Sequence, residues 1–142
     1  MTHEDFMNIA IDLARKNVAS GRQPYGAIVV RAGKVIGVSK NNGPIIHAEL
    51  AAINDAFENI GQYWMGDCVL YTTCKLCDSC LGAARHVGIK EIYYAMDEDD
   101  VRPMGSRTMD IIFPKSHDTK EIKIPNKEIV KIVKDFYDTN EF

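Results

Sequence analysis

The sequence predicts an α/β protein, a mixed sheet covered on both faces by helices, in one domain spanning residues 1–142. Two observations carry that expectation. Apolar segments of strand length occur at 27–30, 35–38, 68–73, 91–95 and 121–124, and helical patterns separate them after an opening hairpin. No internal repeat, low-complexity tract or linker divides the chain.

Each element has its own signature. Between about Thr2 and Ala19, the residues Phe6, Ile9, Ala10, Leu13 and Ala14 share one helical face, and Ser20-Gly21 ends the run. Ala27-Ile28-Val29-Val30 and Val35-Ile36-Gly37-Val38 read as a hairpin turning at Ala32-Gly33. Past Asn41-Asn42-Gly43-Pro44 a second helix is expected from about His47 to Asn59. Cys68 to Thr73 reads as a buried strand, Leu81 to His86 as a helix stopped near Gly88, and Glu91 to Ala95 as another strand. The acidic run Asp97-Glu98-Asp99-Asp100 is expected to open a loop, and Thr108 to Phe113 to form a short helix. Glu121 to Ile124 is the last expected strand. Asn126 then caps a terminal helix with Ile129, Ile132, Val133 and Phe136 inward.

The hydrophobic fraction of 46% and charged fraction of 26% are those of an ordinary soluble protein. No run of about 18 apolar residues is present, so no membrane span is expected. The polar, acidic start at Met1–Asp5 is unlike a secretory signal, and the expectation is a cytoplasmic protein with reduced thiols. A net charge of −3 argues against a chain whose main task is gripping phosphate backbones. Lys127, Lys131 and Lys134 share a helix face, which reads first as a solvated surface and second as an RNA contact.

Of four cysteines, Cys68 stands apart while Cys74, Cys77 and Cys80 recur at intervals of three, a clustering that points to metal or redox chemistry. Cys77 and Cys80 are i and i+3 at a helix start, so both sulfurs can address one ion, and the helix dipole favours their thiolates. With His47 as a third ligand, zinc keeps a fourth position for water, the open coordination of a catalytic site. Two thiolates cancel the formal charge of Zn²⁺, so such a metal acidifies its water less strongly than an all-histidine site. A neighbouring carboxylate that takes the proton then becomes useful. Glu49, on another side of the helix from His47, is placed for that task rather than for ligation. Each residue has a plainer reading: His47 as a cap or surface residue, Glu49 facing water near the dipole, Cys-x-x-Cys as a redox pair. His-x-Glu opening one helix and Cys-x-x-Cys opening the next, with a strand between, is the pattern of the zinc deaminases.

On these residues the sequence resembles the cytidine-deaminase-like superfamily, in the branch holding guanine deaminase, cytosine deaminase and the bacterial tRNA adenosine deaminase. Pro24-Tyr25-Gly26-Ala27 is similar to the family's Pro-Phe-Gly-Ala, and His47-Ala48-Glu49 to its His-Ala-Glu. Leu70-Tyr71-Thr72-Thr73-Cys74 and Cys77-Asp78-Ser79-Cys80-Leu81-Gly82-Ala83 match its second metal segment. Gly105-Ser106 with Met109-Asp110 resembles the tRNA enzyme, and the aromatic end from Asp135 to Phe142 resembles the base deaminases. Two departures stand out: Lys75-Leu76 replaces the family's Glu-Pro, and the connection from Asn41 to His47 is short.

The resemblance implies a three-layer α/β/α sandwich around a five-stranded mixed sheet, active as a homodimer with one zinc per subunit. It implies attack of zinc-activated hydroxide on the ring carbon bearing the exocyclic amine, with Glu49 carrying protons to a ring nitrogen and to departing ammonia. Asn41 would orient the base, and Tyr25 and Phe142 would wall the pocket. Asp100, then Asp97, could read a base edge, against the alternative of a solvated acidic loop. Cys74 is no ligand by resemblance; were it one, the zinc would be closed and structural. The expected substrate is a free base or small nucleoside of guanine or cytosine type. A tRNA adenosine deaminase is the alternative, and a structural-zinc or redox module the rival from another class.

Overall fold

The first helix begins where Thr2 folds its hydroxyl over the residues ahead. Thr2 Oγ1 accepts the Asp5 amide at 3.1 Å while Asp5 Oδ2 accepts the Thr2 amide at 2.8 Å, a reciprocal cap that starts α1 (His3–Ala19). The computed structural model describes residues 1–40, 42–104 and 119–139. Asn41, Phe142, the expected helix at 108–113 and the matches at 105–106 and 109–110 lie outside the described residues.

β1 (Ala27–Arg31) and β2 (Lys34–Val38) form the antiparallel hairpin, and Ala32 and Gly33 both take positive φ, as a two-residue hairpin turn requires. Then come α2 (Ala48–Ile60), β3 (Cys68–Cys74), α3 (Asp78–His86), β4 (Glu91–Met96), the single turn α4 (Glu98–Val101), β5 (Lys120–Lys123) and α5 (Lys127–Thr139). The strand order is β2-β1-β3-β4-β5, with β1 antiparallel to both neighbours and β3, β4 and β5 mutually parallel.

Alternation along β1 explains how both faces are covered. Ile28 and Val30 join Tyr71, Phe6, Met7, Ile129 and Val133 in one core, so α1 and α5 lie on that face. Ala27 and Val29 join Leu70, Ile92, Ala52 and Leu81 in a second core under α2 and α3. The result is a three-layer α/β/α sandwich around a five-stranded mixed sheet, the architecture that the resemblance implies. Two glycines set how closely the layers approach. A Cβ on Gly26 would sit 2.1 Å from the Ala10 carbonyl oxygen, and one on Gly37 would sit 2.4 Å from that of Ala52. Neither position tolerates a side chain, and the contact at Gly37 seats α2 against the hairpin.

Three expectations are revised. His47 is extended, with φ −64° and ψ 165°, and α2 starts only at Ala48. α3 starts at Asp78, three residues before the expected Leu81, with Cys77 at its cap. The acidic run is no open loop: Asp97 Oδ1 accepts the amides of Asp99 and Asp100 at 3.1 and 3.3 Å, which winds Glu98–Val101 into a helical turn. Among the described residues, no helix is long and apolar enough to cross a membrane.

Candidate active site

The N-cap positions of α2 and α3 are His47 and Cys77, and neither side chain makes the hydrogen bond that its cap position offers. The two turn to each other instead. His47 Nδ1 lies 3.6 Å from Cys77 Sγ and 3.4 Å from Cys80 Sγ, and the two sulfurs are 3.5 Å apart. Cys80 reaches the group because it stands one turn beyond Cys77 on the same helix face.

These spacings suit one zinc ion. Bonds of about 2.3 Å to sulfur and about 2.0–2.1 Å to nitrogen, at tetrahedral angles, put two sulfurs about 3.8 Å apart and sulfur and nitrogen about 3.6 Å apart. Among the described residues no fourth histidine, cysteine or carboxylate joins the group. Cys74 is buried nearby but stands outside it, so the closed four-ligand arrangement is not formed.

Hydrogen bonds from Cys80 and His47 lower the Cys77 thiol to about 4, and the bond to Cys77 raises His47. Cys80 is pushed up by its bond to Cys77 and by burial. Burial, with the Glu49 charge close by, also pushes Cys74 up, and a thiol kept neutral in this way is a poor redox partner.

Glu49 is the second residue of α2 and only 6% exposed. Thr72 on β3 donates its hydroxyl to Glu49 Oε1 at 2.6 Å. Burial raises the Glu49 carboxyl from its ordinary value, against the pull of that bond. His47, Glu49 and Cys77 line a cleft together with Gln23, Tyr25 and Asn42. The Tyr25 hydroxyl meets that of Tyr137 on α5 at 3.1 Å.

Asn42 is a cleft residue that the sequence reading missed. Asn17 Nδ2 on α1 donates to the Tyr25 carbonyl at 2.5 Å and to Asn42 Oδ1 at 3.0 Å. That arrangement commits the oxygen of the Asn42 amide inward and leaves its NH₂ as the donor end. The only signal in the sequence is its position beside Asn41.

Asp100 is not brought to this cleft. It accepts the Asp97 amide at 3.0 Å, pairs with Lys123 at 2.9 Å and lines a second hollow with Asn126 and Lys127. Lys75, in place of the family's glutamate, borders the first cleft with its ammonium 5.8 Å from the Tyr94 ring centre. Leu76, in place of the proline, is fully buried in the core under α2 and α3. On α5, Lys131 and Lys134 pair with Asp135 and Asp138 at 3.3 and 2.7 Å.

A five-stranded mixed sheet in three layers, with a histidine, two cysteines and a buried glutamate at two adjacent helix starts, defines a deaminase of the cytidine-deaminase-like superfamily. The chain belongs to the MafB19-like deaminase family, whose model matches residues 1–141. It is 37% identical over 134 residues to the guanine deaminase of Bacillus subtilis, covering 90% of this chain and 81% of that one. A tRNA-specific adenosine deaminase of Haemophilus influenzae is 34% identical over 110 residues, covering 73% of this chain and 64% of that enzyme. The structure of guanine deaminase from Nitrosomonas europaea superposes with a TM-score of 0.84 at 18% identity, covering 96% of this chain and 85% of that one, a likeness of fold.

Proposed function

We propose that the protein is a zinc-dependent hydrolase that releases ammonia from a free nucleobase or small nucleoside of guanine or cytosine type. One observation carries this reading: a carboxylate only 6% exposed, Glu49, shares a cleft with three donors spaced for a single zinc ion. Zinc held by His47, Cys77 and Cys80 would supply a Lewis acid and an activated water at neutral pH. Glu49, anchored through Oε1, takes a proton from the attacking water and delivers it to a ring nitrogen, then carries the water's second proton to the leaving amine as the C–N bond breaks. Its burial serves that exchange, because a carboxylate with a raised pKa is a stronger base towards the water's proton. The amide of Asn42 offers a donor to an acceptor on the base edge, and Tyr25 an aromatic wall. Asn41 and Phe142 stay in the proposal as further base contacts. We place the enzyme in the cytoplasm as a homodimer, each subunit a single domain over residues 1–142 with one zinc.

Charge favours a small substrate. The chain is net −3, and Lys131 and Lys134 already have acidic partners, which weakens the α5 face as a phosphate-binding surface. The similarity to guanine deaminase over 90% of the chain points the same way, while the tRNA-enzyme relative supports the second reading. Zinc-loaded protein is to be assayed side by side on guanine, cytosine, their nucleosides and an adenosine-containing anticodon stem-loop. Ammonia from a base or nucleoside is the expected result. Inosine in the stem-loop, with no ammonia from any small substrate, overturns the assignment in favour of the tRNA enzyme.

A further inference from the structure

We propose that Thr72 is a positioning residue whose hydroxyl holds the Glu49 carboxylate in the orientation from which it moves protons, an inference that rests on the deaminase reading. Thr72 lies on β3, inside the sheet, paired with Ala27 of β1 on one side and Tyr94 of β4 on the other. Its backbone is thus fixed from both edges. Its β-branched side chain has few rotamers, is 0% exposed and does not line the cleft. Whatever Thr72 does for a substrate, it does through another group.

That group is Glu49. The hydroxyl reaches two acceptors, Glu49 Oε1 at 2.6 Å and the Cys74 carbonyl at 3.0 Å. The shorter contact falls in the range of a hydroxyl donating to a charged oxygen. One hydroxyl proton serves one strong acceptor at a time, yet the oxygen can also accept. When Glu49 takes a proton on its free oxygen Oε2, Oε1 still accepts from the Thr72 hydroxyl. The two oxygens stay in contact in both states, so Glu49 passes a proton without moving its anchor. A glutamate at the start of a helix has several rotatable bonds, and nothing local to α2 fixes its carboxylate so tightly.

The test uses zinc-loaded wild type, Thr72→Val, Thr72→Ser, Glu49→Gln and the double variant Thr72→Val/Glu49→Gln, with crystal structures of wild type and Thr72→Val. Valine keeps the shape and removes the hydroxyl. We expect kcat to fall roughly tenfold to a hundredfold, with KM and zinc content unchanged. Serine restores most of the rate. Adding Thr72→Val to Glu49→Gln causes no further loss, because the two act through one group. In the valine crystal the Glu49 carboxylate leaves its wild-type position. An unchanged kcat overturns the inference, and so does an equal loss in the serine and valine variants, which would assign the effect to packing. A Glu49 that stays in place in the valine crystal also overturns it. Should the valine variant not fold, Thr72→Ala replaces it in every arm. Wild type inactive on every base and nucleoside defeats the small-substrate reading alone, and the crystal structures then decide the role of Thr72.

Discussion

The helices on the two faces of the sheet use their first residues differently. On one face, α1 begins with Thr2 capping the Asp5 amide, and α5 with Asn126 Oδ1 accepting the Ile129 amide at 3.0 Å. On the other, α2 and α3 begin with His47 and Cys77, whose side chains leave their own helices uncapped and address each other. A good N-cap is worth typically about 1 kcal/mol. The pair of helices at the cleft therefore forgoes on the order of 2 kcal/mol of local stability, which a metal ion held by His47, Cys77 and Cys80 would more than offset. The contrast separates the residues that build the fold from those that build the site.

The comparison is tested hardest at the donor group. Cys77→Ser or Cys80→Ser is expected to strip the zinc and abolish ammonia release, since two thiolates of a three-ligand site are not lost singly without a large fall in affinity. Cys74→Ser keeps the metal, because its sulfur stands outside the group. Metal analysis after gel filtration reads both, and zinc lost as readily from Cys74→Ser would break the open-site assignment. Next in size, Glu49→Gln should retain fold and zinc while turnover falls on the order of a hundredfold or more, about 3 kcal/mol. Ammonia release near the wild-type rate would remove Glu49 from the mechanism, and lost zinc would make it a ligand.

What was legible in the sequence was local. His47, Glu49, Cys77 and Cys80 stand at fixed offsets beside helix starts, so spacing alone brings each pair to one place, and the structure then joins the two pairs. The layers were legible too, because Ala27 to Val30 is apolar at every position, as a strand covered on both faces must be. The supporting contacts were not. Asn17 reads as an ordinary helix residue until the fold brings Asn42, 25 positions away, against it. Thr72 reads as a strand former, and its hydroxyl acquires a partner only across 23 residues. The surroundings of Asp100 were hidden for the same reason: an acidic run looks solvated, and only the fold supplies Lys123.

On the opposite face the caps sharpen the comparison with smaller effects. Asn126→Ala should destabilise the protein by about 1 kcal/mol, lowering Tm by about 3–5 °C, with zinc content and turnover unchanged. Thr2→Ala should cost less, for two reasons. The Asp5 carboxylate still accepts the Thr2 amide, a bond made by the backbone at that position, so half of the reciprocal cap survives. The lost half carries the pH dependence of the gap, because the Thr2 side chain also helps to lower the Asp5 carboxyl. The Thr2 contacts lower the Asp5 pKa from 3.8, so their contribution is fully present above that value and fades as pH falls through the lowered one. Differential scanning calorimetry at pH 7 and near pH 3 checks both statements. The gap between wild type and Thr2→Ala should narrow in acid while that of Asn126→Ala, a neutral cap, persists. A cap variant on this face that lost zinc or turnover as Cys77→Ser does would erase the division between the two pairs of helices.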